Sequence, residues 1–250
     1  MLARLLALGL CVLAWLPPGE ADAFRFMPFT VEFAPTGPEA NQSFRVENNS
    51  DEPIAVEISM FKREMNVDGT DRLTEAEDDF VVFPAQIVLE PRETQAIRVQ
   101  WTGEAQPERE LAYRIIAEQL PIDLDPAVPN AGNMRILVRY VGSIYVRPSG
   151  VEDDVVVAAV QEGEQPDGRR LAVTFENRGN AHAILRNLRL ELRSRSQPDT
   201  RVELGPERLQ GFAGENILAQ HKRRFVLDWP EGLPYGPVDL SFNFERASPR

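Results

Sequence analysis

The chain has 250 residues, a formal net charge of −12 at pH 7 and a single cysteine, Cys11. That acidic balance argues against nucleic acid or an anionic membrane surface as the main partner. With no cysteine after position 11, disulfide cross-links and thiol nucleophiles are excluded from the rest of the chain. The first 23 residues read as a signal peptide. Met1 and Arg4 open a short basic region, Leu5 to Leu16 is apolar, and Ala21-Asp22-Ala23 offers the small-x-small pattern for cleavage after Ala23. The apolar run is too short to span a bilayer and ends in Pro17-Pro18-Gly19. Leu10 stands where lipoprotein processing at Cys11 needs a small residue. A mature, exported protein without membrane insertion is expected from Phe24 onward.

From there the chain reads as all-β. Strand-like runs cover Phe29–Phe33, Ser43–Asn48, Ile54–Phe61, Phe80–Phe83, Gln86–Leu89, Thr94–Trp101, Leu111–Leu120 and Arg135–Val146. Turn-formers such as Pro35-Thr36-Gly37-Pro38, Asn49-Ser50-Asp51 and Glu90-Pro91 separate them. Arg147-Pro148-Ser149-Gly150 marks a boundary, beyond which Val155–Val160, Arg170–Asn177, Ala183–Arg193, Arg201–Leu204, Lys222–Asp228 and Val238–Phe244 form a second series. Two such stretches predict two tandem immunoglobulin-like β-sandwich domains, residues 24–148 and 149–250. Asn48 and Asn177 each close a strand of the form apolar-x-apolar-x-Asn, a weak internal parallel.

The run Met134–Pro148 stands out. Met134, Ile136, Val138 and Tyr140 share one face by the two-residue period of a strand, and Arg135, Leu137, Arg139 and Val141 share the other. One face is wholly apolar or aromatic, and the other mixes arginines with apolar residues. Such a strand either lies between two layers or forms an edge that receives a partner.

Catalytic constellations are missing from the pattern. His182 and His221 lie far apart without metal-ligand spacing and read as surface or loop residues. No Gly-x-Ser-x-Gly elbow or phosphate-cradling glycine loop is present. The acidic stretch from Asp68 to Asp79 does not fit a calcium loop and reads as a solvated hairpin tip. Binding, without metal or cofactor, is the expected class rather than catalysis.

Several segments together resemble the periplasmic chaperones of the chaperone–usher pathway, which assemble pili. Phe44-Arg45-Val46-Glu47-Asn48, Phe83-Pro84, Leu89-Glu90-Pro91 and Ile97-Arg98-Val99 carry the likeness. So do Glu110 through Tyr113-Arg114 to Glu118-Gln119-Leu120-Pro121, and Ile144-Tyr145-Val146-Arg147-Pro148. The later half is similar more loosely, through Leu171-x-Val173-x-Phe175-x-Asn177 and Tyr235-Gly236. The resemblance implies donor-strand complementation, in which Met134, Ile136, Val138 and Tyr140 enter the groove of a pilin-like subunit. Leu137 and Val141 are then expected to face the chaperone's own core. Delivery to an outer-membrane usher and a role in fimbrial and cell-wall assembly are also implied. Whether the free protein self-associates through that strand stays open.

Typical members of that family grip the subunit's C-terminal carboxylate with an arginine on the first strand and a lysine on the last. Those places hold Thr30 and Ser143 here. The departure is more similar to the archaic or alternative branches, and Arg98, Arg114 and Arg139 are the replacement candidates. The resemblance further implies an interdomain salt bridge between Glu110 and Arg147; its third member corresponds to Pro234, with Glu231 and Asp228 nearby. The alternative is a secreted tandem β-sandwich adhesion or carbohydrate-binding module, which predicts exposed aromatic platforms; yet after residue 23 the only tryptophans are Trp101 and Trp229, and the apolar alternation around Trp101 suits a core.

Overall fold

The computed structural model describes residues 24–121, 136–166 and 168–246. The predicted signal peptide, Met134 and Arg135 lie outside the described residues. In chain order the first sandwich uses β1 (Arg25–Met27), β2 (Thr30–Phe33), β3 (Asn41–Glu47), β4 (Ile54–Met65) and β5 (Asp71–Glu75). It continues with β6 (Phe80–Phe83), β7 (Gln86–Leu89), β8 (Thr94–Trp101), β9 (Leu111–Gln119) and β10 (Arg139–Val146). The order β1-β3-β8-β6 makes one sheet and β2-β10-β9-β4-β5 the other, with β7 joined to β4. The chain switches sheets between β1 and β2: β1 runs antiparallel to β3, while β2 runs parallel to β10.

Alternation explains why these segments pair. In β8, Ile97, Val99 and Trp101 are buried while the alternate residues Ala96, Arg98 and Gln100 are exposed, the signature of a sheet with one wetted face. The enclosed faces meet in a core of Phe26, Phe44, Val46, Ile97, Ile115, Ile144 and their neighbours. Fully burying each such side chain contributes about 1.5–3 kcal/mol. Phe80, Trp101 and Tyr113 meet edge-on with ring centroids 5.0–5.6 Å apart, the geometry favoured by ring quadrupoles.

The second sandwich is built from β11 (Val155–Gln165), β12 (Gly168–Asn177), β13 (Ala183–Ile184), β14 (Arg186–Ser194), β15 (Arg201–Leu204), β16 (Asn216–Ile217), β17 (Lys222–Asp228) and β18 (Val238–Glu245). Its sheets are β11-β12-β17 and β15-β14-β18, with a short β13–β16 pair. Leu171, Val173, Phe175, Leu188, Leu190 and Leu192 form its core. The two tandem immunoglobulin-like sandwiches expected from the pattern are the architecture observed.

The weak asparagine parallel has one physical cause. Asn48 and Asn177 are both fully buried. Asn48 Nδ2 donates to the carbonyls of Glu52, Leu89 and Glu90, at 2.8, 3.3 and 3.0 Å. Asn177 Nδ2 donates to those of Ala181 and Ile217, at 2.8 and 3.1 Å. Each amide ties loops whose backbone groups would otherwise lie unsatisfied inside the sandwich.

Three differences from the sequence expectation stand out. β5 arises in the stretch read as a hairpin tip, pairing with the far end of β4. The run Ala183–Arg193 is two strands, because Ala183–Ile184 pairs with β16 and the chain then joins β15 and β18 as β14. The last strand of the first sandwich is Arg139–Val146, and residues 136–138, expected within it, are not strand; Arg135 lies outside the described residues.

Candidate functional site

β10 has two unlike halves. From Ser143 to Val146 it lies between β9 and β2, hydrogen-bonded to both. From Arg139 to Gly142 it pairs with β9, while β2 pairs only with Ser143–Val146. That half leaves an open strand edge among the described residues. The pairing with β9 extends one residue further back through Gln119 N–H to the Val138 carbonyl, 3.0 Å.

The inward parity differs from expectation. Leu137 and Val141 point outward, 44% and 46% exposed, whereas Val138 and Tyr140 pack against the first core. The period of two decides this: Ile144 and Val146 are fully buried, so Val138, Tyr140 and Gly142 must share their face. At Gly142 a Cβ would meet Ile115 Cγ2 at 2.7 Å, which explains the glycine there. Tyr140 is engaged within the sandwich: its hydroxyl donates to the Phe24 carbonyl at 2.6 Å, and its ring meets Phe24 edge-on. Ile136, on the same parity, is 71% exposed. The face reserved for a partner in the sequence reading is therefore continuous with the molecule's own core.

Following the open edge toward the C-terminal end of β10 leads into a cleft between the sandwiches, about 530 Å³ in volume. Its floor is the outer face of the β2-β10-β9-β4-β5 sheet. Thr30 and Ser143 are direct Cα partners across β2 and β10, and Ser143 is in turn the partner of Arg114 on β9. One cross-strand row thus carries Thr30, Ser143 and Arg114. The row's positive charge stands one strand further in than the two hydroxyl positions. Arg114 Nη1 donates to Ser143 Oγ, and its Nε donates to Asp71 Oδ2 at 2.7 Å. Arg63 from β4 joins the group, its Nε donating to Asp71 Oδ1 at 2.7 Å. Arg223 of β17 lines the opposite wall, paired with Glu215 at 2.7 Å.

Of the sequence-nominated arginines, Arg114 alone lines this cleft. Arg98 belongs to the other sheet and is exposed on its outer face, opposite Ser43 and Phe83 in register. Arg139 is exposed on β10 and pairs with Glu118 of β9 at 3.4 Å. Arg63 and Asp71 were missed. Their signal was the length of β4: it runs 12 residues, and its far end buries Arg63 and Met65 on the face opposite the core-facing Ile58 and Met60. That end is covered by the second sandwich, where Met65, Tyr145 and Leu218 form a small apolar cluster.

The junction itself gathers around Glu110, whose side chain is 1% exposed. Arg147 Nη1 donates to Glu110 Oε2 at 3.1 Å, and Arg147 Nη2 donates to the Val151 carbonyl at 3.3 Å. The other oxygen, Oε1, accepts the His182 backbone N–H at 3.1 Å and lies 2.6 Å from His182 Nδ1. His182, not Glu231 or Asp228, thus occupies the third place; Asp228 ends β17 beside Arg170. His182 lies in a loop, as expected, but not at the surface: its ring stacks on Tyr145 at 4.0 Å and its side chain is 8% exposed. Burial pushes the Tyr145 phenol above its ordinary range, so it stays protonated while accepting from Asn216 Nδ2 at 2.7 Å.

Neither tryptophan provides an exposed platform. Trp101 is in the first core, and Trp229 packs against the second with Nε1 donating to the Leu233 carbonyl. No helix among the described residues is long and apolar enough to cross a membrane.

Residues 30–152 match the family of pili and flagellar-assembly chaperones at the PapD N-terminal domain. No curated protein matches the chain by sequence. Among solved structures, the class 5 fimbriae chaperone CfaA is 16% identical with a TM-score of 0.55, covering 89% of this chain and 100% of that one. The CsuC–CsuE chaperone–tip adhesion subunit complex, from archaic chaperone–usher Csu pili of Acinetobacter baumannii, is likewise 16% identical with a TM-score of 0.55, covering 88% and 97%. The YadV chaperone is 12% identical with a TM-score of 0.52, covering 89% and 92%. At these identities the likeness is one of fold.

Proposed function

We propose, for a chain whose first sandwich belongs to the PapD N-terminal domain family of pilus-assembly chaperones, that β10 lends its open edge to a pilin-like subunit. One observation carries this: a half-strand paired on one side only among the described residues, preceded by exposed Ile136, runs into an arginine-bearing cleft. A client strand laid along that edge gains main-chain hydrogen bonds from Arg139–Val141, while Met134, Ile136 and Val138 enter its groove. Because Val138 already rests on the first core, the client's apolar interior becomes an extension of the chaperone's own. Tyr140 closes the seam between the two.

Direction along the edge follows from charge. The client's terminal carboxylate arrives beside Thr30 and Ser143, where Arg114 and Arg63 supply the positive groups; a guanidinium fork suits a carboxylate. Arg98 and Arg139, outside the cleft, take no part. The Glu110–Arg147–His182 junction holds the two sandwiches, taken as domains 24–148 and 149–250, at the angle that shapes the cleft. The protein works in the periplasm after removal of residues 1–23, passes its client to an outer-membrane usher, and catalyses no reaction.

Co-expression with a pilin-like subunit tests the reading. The subunit is expected to co-purify with the mature chain and to be lost when the chain is absent. Ile136→Asp is expected to abolish the complex while leaving the chaperone folded; recovery of an intact complex contradicts the donor-strand assignment.

A further inference from the structure

Arg63 and Arg114 reach the cleft from different strands, yet both guanidiniums turn to a single carboxylate. Asp71 divides its oxygens between them, Oδ1 to Arg63 and Oδ2 to Arg114, each at 2.7 Å. The three side chains are 6%, 17% and 20% exposed for Arg63, Arg114 and Asp71. Two like charges this close and this dry need a counter-ion to stay in place. With Asp71 between them the trio carries a formal charge of one, the complement of one client carboxylate.

The side of contact matters as much as the charge. Asp71 takes the Nε of both arginines, and on Arg114 it also takes Nη2 at 2.7 Å, along the Nε–Nη2 edge of the fork. The Nη ends of Arg63 have no partner among the described residues, and Arg63 lines the cleft. Arg114 Nη1 is turned to Ser143, the row leading to the open edge. Asp71 thus holds the two forks from the side and leaves Arg114 Nη1 directed at Ser143.

Asp71 is itself held in place. It opens β5 opposite Met65, directly after the turn at 66–70. The second sandwich grips that turn: Arg224 N–H donates to the Val67 carbonyl at 2.6 Å, and the Arg223 guanidinium lies against Gly69. Gly69 has φ +86, and a Cβ there would run into Arg223. Arg223 is fixed in turn by Glu215 and by the Asn216 carbonyl, 2.8 Å from its Nη1.

We propose that Asp71 is a positioning residue for the carboxylate anchor, presenting Arg63 and Arg114 to the client's terminus and tying their placement to the second sandwich. The proposal rests on the anchor reading given above. A synthetic peptide alternating threonine and valine, made with a free terminal carboxylate and again as a terminal amide, tests it against the full mature chain. The wild type is expected to bind the carboxylate form about tenfold tighter or more, the size of a charge-assisted contact. Asp71→Ala and Asp71→Asn are expected to bring that ratio to within about twofold of unity while leaving amide-form binding unchanged. Asp71→Asn keeps the side-chain shape should Asp71→Ala fail to fold, and thermal melting monitors both. A ratio that is unchanged or raised in the variants overturns the positioning role, a raised ratio making Asp71 a competitor instead. A wild-type ratio of one overturns the anchor reading before any substitution is made, and binding of neither form overturns the client-strand reading along with it.

Discussion

β10 and the segment that leads into it have the same alternating chemistry and opposite fates. Ile144 and Val146, held between β2 and β9, are fully buried; Ile136, only a few residues earlier and on the same parity, is 71% exposed. The difference is the neighbour, since β2 ends its pairing at Ser143. Natural sheets usually protect an apolar edge. On the proposed reading, an edge left open on a strand whose continuation is core awaits completion by another chain.

That contrast can be broken most sharply at the buried end. Ile144→Ala is expected to cost about 2–5 kcal/mol of unfolding free energy through cavity formation, whereas Ile136→Ala stays within about 0.5 kcal/mol because its site is solvent-exposed. Chemical denaturation of the two variants measures both. Similar losses at the two positions would mean that the segment leading into β10 is packed after all. Asn177→Ala, which strands the Ala181 and Ile217 carbonyls, is expected to cost about 1–3 kcal/mol, and Asn48→Ala about the same; denaturant midpoints report each. Glu110→Gln weakens the charged contacts to Arg147 and His182 at the junction, for an expected loss of about 1–2 kcal/mol given that Arg147 is partly exposed. Small-angle scattering should also show a wider spread of angles between the sandwiches. The smallest effect is Arg98→Ala, within about 0.5 kcal/mol in stability and without change in subunit recovery. A fall in recovery would return Arg98 to the anchor.

Much of this was legible in the sequence because alternation reports one-sided burial directly. Ile97, Val99 and Trp101 are buried as their period implies. β10 was harder, since both of its faces carry apolar residues and a period of two does not say which face is inside. The continuation through Gly142, Ile144 and Val146 would have settled it. β5 was missed because it has no apolar stripe; it extends a long hairpin that is steadied by the second sandwich rather than by its own core. Arg63, Asp71 and His182 owe their roles to contacts with residues distant in the chain. No local pattern marks such a meeting.

Hydrogen exchange along β10, with and without a bound subunit, tests the central claim most directly. Amides of Ile144–Val146 should be protected in the free chaperone and change little. Amides of Arg139–Val141 that face the open edge should exchange quickly when free and slow by about tenfold or more on binding, as new strand pairing is made. A stable complex that leaves those amides unprotected would show that the subunit binds elsewhere and that β10 lends nothing.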